Sequence, residues 1–278
     1  MSLSGREIIS MLSINEQEVR VVPLNVWISS RFLVEGCMRD VVKFGGRAAR
    51  GLLLVTLVLC VGTVSLAQNE KKIAKKAEEA QKASDVFTEI MNVSDKAIPQ
   101  GLLDKAEAIA VFPGVVKGGF IVGARGGHGV ISRRVPGGWS APAFFNLGGG
   151  SVGLQIGASK TDFVLLFMNT GALEGLMKDK FEIGGEGSVA AGPVGRSTSA
   201  TTDAQLKAQI LSYSRSKGAF AGLEIKGVVI DPDNDDNTAV YGKKAAEVLS
   251  QTQPVTTEQA PAGVRIFPRT LARYSTRR

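Results

Sequence analysis

The sequence predicts an α+β fold in which a mainly antiparallel, glycine-rich β-sheet is flanked by an N-terminal amphipathic helix and a short C-terminal helix. From Ala108 onward, short runs rich in Val, Ile and Phe are separated by glycine clusters or Pro-Gly turns. Because such strands follow one another closely along the chain, they are expected to pair mostly antiparallel. Helical patterns lie at the ends of this region rather than between its strands, which favours α+β over a βαβ fold.

The first element is a leader. Residues 51–67 form an uncharged apolar run that follows several basic residues, and Ser65 and Ala67 occupy the −3 and −1 positions of a small-residue cleavage site. We therefore expect residues 1–67 to be a leader with a secretory signal peptide. The protein is then exported, to the periplasm or the medium, and associated with a membrane. An uncleaved anchor is the alternative, because a run of about 17 residues is at the lower limit for crossing a bilayer.

The leader is long for a signal peptide, and Met38 begins a segment that alone forms an ordinary n-region. We expect Met38 to be the true start and residues 1–37 to come from an over-long gene prediction. Cleavage after Ala67 also removes Cys37 and Cys60, the only cysteines. Thiol catalysis, disulfide exchange and cysteine-ligated zinc are therefore excluded for the mature chain.

The second element is an amphipathic helix over residues 70–95, in which apolar residues recur every three or four positions with charges between them. It has two interpretations. The helix lies on a membrane surface, or, as we favour, it packs its apolar stripe on the domain and keeps its lysines in water. Pro99 ends the segment, and residues 100–107 predict a short second helix. The stripe consists of Ile73, Ala77, Ala80, Ala83, Phe87 and Ile90 or Met91.

The strands come next, followed by a closing helix and a tail. A brief helix is predicted over Thr170–Lys178, further strands follow it, and Thr238–Ser250 is predicted to be the closing helix. Residues 68–250 are therefore expected to form one domain. After Pro254 the chain is rich in Pro, Thr and Arg, so residues 251–278 are expected to be a basic, disordered tail.

One motif resembles the nucleophile elbow of hydrolases. Gly149–Gly153 matches G-x-S-x-G around Ser151, but a strand follows it instead of a helix. The chain's one histidine, His128, lies upstream of the serine, whereas the triad histidine of such hydrolases lies downstream. We expect a structural or interfacial role for His128, no catalytic residue, no cofactor and no enzymatic activity.

A second motif resembles a calcium loop. Residues 231–237 place oxygen atoms at positions 1, 3 and 5, but position 6 is not glycine and Gly242 stands where a bidentate Glu is needed. A weak calcium site is the lesser alternative. We expect a solvated acidic turn in which Asn237 caps the following helix, and no metal site.

The distribution of charge is more informative than the net charge of +7. Residues 68–258 hold 21 basic and 21 acidic side chains, so this part is neutral. Between Glu107 and Asp162, however, there is no acid, and that segment is a candidate for a positive face. Nucleic acid is not an expected partner, because basic and aromatic residues do not alternate. The cations of the segment are Lys117, Arg125, Arg133, Arg134 and Lys160.

The run from Ser84 to Gly242 resembles the SYLF domain, found in bacterial exported proteins and in eukaryotic actin- and membrane-associated proteins. Three of the matching stretches are AIPQGLLDKAEAIAVFPGVVKGGFIVGARGGHGVI, WSAPAFFNLGGGSVGLQIGASKTDFVLLFMN and KFEIGGEGSVAAGPVGR. The resemblance implies a non-catalytic lipid-binding module, which binds phosphoinositides in eukaryotic relatives. For an exported protein we expect anionic phospholipid, or a membrane surface that contains it, as the partner. The alternative is a structural or protein-interaction module of the cell envelope.

The lipid-binding hypothesis requires the cations to lie together on one surface, where phosphate headgroups can dock. Each exposed cation contributes about 1 kcal/mol near an anionic surface. The candidate residues are the five cations of the acid-free segment, Lys117, Arg125, Arg133, Arg134 and Lys160, with Arg196, Arg215 and Lys217 from other matching stretches.

Overall fold

The computed structural model describes residues 47–93, 97–119, 122–152, 157–177, 180–195, 207–216, 219–222, 225 and 227–275. Within these ranges its side chains are described from Asn69 onward, except at residues 119, 122, 151, 152, 157 and 158. The chain divides into two compact units, Met1–Val64 and Ser65–Arg278. Apart from the backbone of the first helix, everything that follows concerns the second unit.

The described α-helices precede or follow the strands in the chain, except for one short helix between the fifth and sixth strands, which agrees with an α+β fold. The α-helices are α1 (Arg47–Met91), α2 (Gln100–Lys105), α3 (Thr170–Leu176), α4 (Asn234–Tyr241), α5 (Ala245–Val248) and α6 (Ile266–Tyr274). Two 3₁₀ turns, Thr257–Gln259 and Ala262–Arg265, precede α6. The short helices α2 and α3 confirm the predictions over residues 100–107 and 170–178.

The described strands form one ten-stranded sheet in the order β6-β10-β4-β2-β1-β5-β8-β7, with β3 beside β2 and β9 beside β8. All pairs are antiparallel except β7 with β8, which confirms the predicted fold class. The strands are β1 (Ala108–Gly119), β2 (Val122–Val135), β3 (Gly138–Trp139), β4 (Ala143–Val152), β5 (Gly157–Phe167), β6 (Phe181–Ile183), β7 (Val189–Ala191), β8 (Ile210–Ser216), β9 (Ala219–Gly222) and β10 (Val228–Pro232).

Helix α1 packs on one face of this sheet, here called the helix face. Ala80, Ala83, Phe87 and Ile90 are buried, while the charged residues between them point to water. The structure therefore confirms that this stripe packs on the domain. The side chains of the predicted signal-peptide core, residues 51–67, lie outside the described part. Among the residues whose side chains are described, no helix is long and apolar enough to span a membrane.

The opposite face of the sheet is covered by α3. A Cβ atom placed on Gly175 of α3 would come within 2.8 Å of the Phe181 ring on β6, so this helix and the sheet are in close contact. Buried side chains of this face include Phe112, Phe145 and Leu147. Apolar side chains are therefore buried on both faces of the sheet, so the hydrophobic core has two layers.

A bulge in β1 changes which residues face the helix. Two residues, Pro113 and Gly114, stand between Phe112 and Val115, whereas the partner strand β5 has one residue in that interval. Gly114 has φ 58°, a conformation that favours glycine, and its N–H donates to Oδ1 of Asp162 at 2.7 Å. Beyond the bulge, Lys117 therefore lies on the opposite face and Val116 on the helix face.

The predicted disorder of residues 251–278 is wrong for the part that the structure describes. This segment forms the two 3₁₀ turns and α6, and it buries Val264, Phe267 and Leu271 in the core. The ring of Tyr274 packs edge-on against Phe87 of α1 at 5.8 Å. Buried apolar residues recur here every three or four positions, a helical spacing that the Pro-, Thr- and Arg-rich composition concealed.

The predicted closing helix over Thr238–Ser250 is two helices. Gly242 ends α4 in the left-handed conformation, with φ 65°, and its N–H donates to the carbonyl of Thr238. The chain then turns before α5 begins at Ala245. A glycine in this conformation is a common helix terminator, so the break follows from Gly242 itself.

Candidate anion-binding site

Two of the predicted cations form a pair at the glycine-rich end of the sheet. Lys117 on β1 stands directly opposite Arg125 on β2, and Ser159 on β5 stands on the other side of Lys117. Directly opposed residues of antiparallel strands point to the same face of a sheet, so both cations project from the opposite face. Both side chains are half-buried. Lys117 and Arg125 are called the cation pair below.

The cation pair is electrostatically unfavourable on its own. Like charges directly opposite each other on neighbouring strands are destabilising, and none of the described ion pairs involves Lys117 or Arg125. The Nε atom of Arg125 is also buried without a hydrogen-bond partner among the described residues. Leaving a buried donor of a charged group unpaired costs free energy. An anion bound between the two side chains would reduce both costs.

One wall beside the cation pair is formed by backbone. Gly149 of β4 stands opposite Arg125 in the ladder. A Cβ atom placed on Gly149 would meet the carbonyl oxygen of Gly227 at 2.8 Å, so the segment that leads into β10 passes directly over this glycine. A larger residue would push that segment away, and glycine is required here for the close approach.

Lys160 does not belong to the cation pair. It is exposed on β5 and stands opposite Val116, which the β1 bulge places on the helix face. The prediction that five cations share one surface patch is therefore wrong. Its physical reason is the two-residue period of a strand, which sends neighbours such as Val116 and Lys117 to opposite faces.

Arg133 is a buried structural residue and not a surface cation. It is 3% exposed, and its Nη1 donates to the carbonyl oxygen of Leu249, at the end of α5, at 3.1 Å. Burial lowers the pKa of its guanidinium from the ordinary value. Because an Arg remains protonated even so, Arg133 serves to hold the end of α5 against β2.

Arg134 is likewise engaged within the fold. Its Nε donates to the carbonyl oxygen of Ala106 at 2.9 Å, and its Nη2 donates to that of Leu103 at 2.7 Å and to Oγ of Ser275 at 2.8 Å. The guanidinium also stacks over the Trp139 ring at 4.2 Å. Arg134 therefore satisfies carbonyl groups at the end of α2 and ties that helix to the C-terminal segment.

The three remaining predicted residues add nothing to the cation pair. Arg215 on β8 donates to Oδ2 of Asp162 at 2.9 and 2.8 Å and forms an ion pair with Glu89 of α1, so its charge is neutralised. Arg196 and Lys217 lie outside the described residues. Of the eight predicted residues, the structure thus brings together Lys117 and Arg125.

A buried ionic cluster under α1 was not predicted. Nζ of Lys76 lies 2.8 Å from Glu79, 2.7 Å from Asp236 and 3.9 Å from Asp233, and 5.0 Å from the centre of the Phe144 ring. These four charged residues are called the Lys76 cluster. The sequence did contain a signal, since Lys76 is spaced as a member of the apolar stripe, three residues after Ile73 and four before Ala80.

Burial and pairing compete within the Lys76 cluster. Burial alone would lower the pKa of Lys76, but its hydrogen bonds to Asp236 and Glu79 outweigh burial and raise this pKa above the ordinary value. Burial would likewise raise the pKa of Asp236, but pairing with Lys76 lowers it. For Glu79 burial prevails over Lys76, so its pKa is raised. Pairing therefore favours the charged forms of both Lys76 and Asp236, the ion pair that joins α1 to α4.

The acidic turn has structural roles. Asp233, not Asn237, caps α4, since its carboxylate accepts from the N–H of Asp236 at 3.1 Å. Asn237 is buried within α4, where it accepts from the N–H of Phe144 at 2.9 Å and donates to the Phe144 carbonyl at 2.8 Å. The prediction that Asn237 caps the helix was wrong. In the described part of the chain, no three His, Cys, Asp or Glu side chains are grouped so that they could hold a metal ion.

Ser151 does not lie on a nucleophile elbow. Strand β4 continues through Ser151 to Val152, and Ser151 stands opposite Gly123 of β2 in the ladder. His128 stands opposite Asn146, five residues away along the same two strands, and its Nδ1 lies 2.8 Å from Oδ1 of Asn146. At about 3.3 Å per residue, the serine and the histidine are too far apart for proton transfer.

Comparison with known proteins finds a family model and relatives that share the name Ysc84. Residues 148–274 match the family model described as "Ysc84: Las17-binding protein actin regulator". The chain is 34% identical over 181 residues to SH3 domain-containing YSC84-like protein 1 of Xenopus laevis, with 62% of this chain and 54% of that protein covered. The human protein of the same name is 35% identical over 170 residues, covering 59% and 49%.

A yeast relative is similar to the same degree. LAS seventeen-binding protein 3 of Saccharomyces cerevisiae (strain ATCC 204508 / S288c) is 35% identical over 182 residues, with 64% of this chain and 38% of that protein covered. The chain thus spans about half the length, or less, of the curated relatives it matches. The family model is described as a binding protein and actin regulator, the yeast relative is named as a binding protein, and none of these names states a reaction.

Proposed function

Because the chain belongs to the SYLF family, whose Ysc84 model and YSC84-like relatives it matches, we propose that it is a non-catalytic binding module that docks on anionic phospholipid headgroups. The observation that supports this proposal most directly is the cation pair. Two like charges face each other at Lys117 and Arg125, and no described carboxylate pairs with either. A phosphate group between them would relieve the repulsion and satisfy the Nε donor of Arg125.

The proposed site is smaller than the eight residues that the sequence indicated. Arg133, Arg134 and Arg215 have partners inside the fold, and Lys160 projects from the other face. With about 1 kcal/mol from each cation near an anionic surface, the cation pair contributes about 2 kcal/mol. Binding is therefore modest, and it weakens with salt because the Debye length is about 10 Å at 0.1 M.

Vesicle co-sedimentation of the full chain tests this function. Phosphatidylcholine vesicles with added phosphatidylglycerol should retain the protein, and salt should release it. The double variant Lys117→Gln/Arg125→Gln should bind about 30-fold more weakly, the equivalent of about 2 kcal/mol. The matched control, Lys180→Gln/Lys243→Gln, removes two exposed lysines elsewhere and should bind like the wild type. Equal losses in both double variants, or equal binding to vesicles without phosphatidylglycerol, would contradict the proposal.

Export is part of the same proposal. It is supported by the apolar run at residues 51–67 and by a unit boundary after Val64, close to the expected cleavage site after Ala67. The intact mass of the protein from its native cells tests this point. A chain that begins at Gln68 agrees with export, and one that retains residues 51–67 contradicts cleavage.

A protein partner is the second candidate, because the matched family model and the yeast relative are both named for Las17 binding. In this chain such a partner would be a protein of the compartment to which the chain is delivered. Pull-down in the absence of lipid separates the two candidates. A stable partner that is retained by the Lys117→Gln/Arg125→Gln variant would favour the protein-interaction module.

A further inference from the structure

A groove lies between α1 and the helix face of the sheet, on the side of the sheet away from the cation pair. Its volume is about 680 Å³, within the range of small-molecule binding sites. Lys75 and Glu79 of α1 contribute one wall, and Val116, Gly126 and His128 contribute the sheet side. The proposed docking function does not use this groove.

His128 is held in one orientation at the groove. The amide Nδ2 of Asn146 donates to Oδ2 of Asp231 at 3.3 Å, which leaves Oδ1 of Asn146 as the atom 2.8 Å from His128 Nδ1. Because a carbonyl oxygen can only accept, neutral His128 must have its proton on Nδ1. Its Nε2 is then a hydrogen-bond acceptor, and the side chain is exposed at the groove.

Beside His128, the sheet side of the groove has an apolar part with little side-chain cover. Val116 is 43% exposed, a large value for a valine in a strand of this sheet. Gly126 has little beside it, since a Cβ atom placed there would meet only the Leu147 carbonyl oxygen, at 3.9 Å. The packing of the fold therefore does not require glycine at position 126, and a side chain there would occupy open space.

The charges around the groove balance. Two lysines and two glutamates line it. Lys82 is paired with Glu78 at 2.7 Å, and Glu79 is held by Lys76 at 2.8 Å. By formal charge the four charged lining residues sum to zero, so the lining does not favour an ion over a neutral ligand, and Nε2 of His128 suits a ligand that donates a hydrogen bond.

We propose that this groove binds a small neutral amphiphile. The apolar part of the ligand covers Val116 and the bare backbone at Gly126, and one hydroxyl group donates to Nε2 of His128. Two sources have this chemistry, an alkyl glycoside and a monoacylglycerol. The site is independent of the cation pair, because the two lie on opposite faces of the sheet.

The experiment uses the single histidine as its probe. Full-length protein labelled with ¹⁵N-histidine and purified without detergent gives one imidazole spectrum, since the chain has one histidine. The free protein should show the Nδ1–H tautomer. Octyl β-glucoside, added below its micelle concentration, should shift the Nε2 resonance in a saturable way. Monooctanoylglycerol serves as the second arm, and tighter binding of one of the two identifies the source of the ligand.

A variant that fills the groove provides the decisive comparison. Gly126→Val suits a strand and should lower the affinity for octyl β-glucoside at least tenfold. Gly118→Val is the matched control, because Gly118 is another strand glycine with open space beside it and does not line the groove. Three results would each overturn the proposal: no saturable shift with either amphiphile, equal affinity in both valine variants, or tighter binding of octanoate than of octyl β-glucoside.

Discussion

At the scale of single residues, the structure is fixed by polar side chains that reach between elements. Lys76 extends from α1 to the acids at the start of α4, and it crosses the Phe144 ring on the way. Asn237 replaces a strand partner for Phe144 by exchanging two hydrogen bonds with its backbone. These contacts are specific in direction, so they set the positions of α1 and α4 more narrowly than apolar packing alone would.

Replacing Lys76 tests this role. Lys76→Met keeps much of the side-chain volume but leaves Asp236 and Glu79 without their cation, and removal of one partner from a buried ion pair costs about 3 kcal/mol or more. We expect urea unfolding to show a loss of that size. Lys75→Met, which changes the exposed neighbour, should stay within about 0.5 kcal/mol of the wild type. Similar losses in the two variants would mean that Lys76 contributes no more to stability than the exposed Lys75.

At the scale of elements, the C-terminal segment completes the core. Helix α6 lies beside α1 through Phe87 and Tyr274, and Arg134 joins its end to α2 through Ser275. On its outer side, Glu258 pairs with Arg265 at 3.2 Å and with Arg269 at 3.2 Å. Arg269 and Arg273 thus lie on the exposed side of an amphipathic helix rather than in a free tail.

Truncation tests the importance of this segment. A chain that ends at Ser250 loses, among others, the fully buried side chains of Val264, Phe267 and Leu271. At about 1.5 kcal/mol or more for each, the free energy of unfolding should fall by at least about 4 kcal/mol. A chain that ends at Ser275 should unfold like the full chain. If thermal unfolding of the Ser250 truncation matches that of the full chain, residues 251–275 are dispensable.

Elements with strong periodicity could be predicted from the sequence, and elements defined by their neighbours could not. The spacing of apolar residues in α1 correctly predicted which face of this helix is buried. Strand β8, Ile210–Ser216, was not predicted, because serines and an arginine interrupt its apolar residues. Its Ser212 is nonetheless buried, and the Ser212 hydroxyl donates to the Ala190 carbonyl of β7. For the candidate site, the acid-free segment led to Lys117 and Arg125. Their separation from Lys160 depends on the bulge and on strand pairing, which only the folded chain defines.

At the scale of the whole molecule, buried phenols make the fold sensitive to alkali. Tyr213 is buried and Tyr241 is partly buried, and burial raises the pKa of both hydroxyls. Their hydroxyls donate to the carbonyls of Pro193 and Pro142. A group whose pKa is raised by folding contributes stability that is fully present below its unfolded pKa. That stability is lost as the pH rises, and for tyrosine the loss starts at about pH 10. Lys76, whose pKa is also raised, acts in the same direction.

The stability of the protein should therefore fall steeply above about pH 10. Each titrating group adds about 1.4 kcal/mol per pH unit to the slope of the free energy of unfolding against pH. Tyr241→Phe lowers stability at neutral pH, because it removes the hydrogen bond to Pro142, but it should also reduce the alkaline slope by about one such group. Chemical unfolding at a series of pH values measures both effects. An unchanged slope in Tyr241→Phe would show that this hydroxyl does not resist ionisation in the folded protein.

The bulge at Pro113 and Gly114 also determines which side of the molecule is positively charged. Without that one extra residue, the period of β1 would send Lys117 beneath α1, towards the His128 groove, while Arg125 stayed on the far side of the sheet. Deleting Gly114 would thus move Lys117 to the other face of the sheet and separate it from Arg125, although every charged residue would stay the same. Insertion or deletion of one residue in this strand is consequently a way in which related sequences could gain or lose an anion site. A comparison of their amino-acid compositions would not reveal that change.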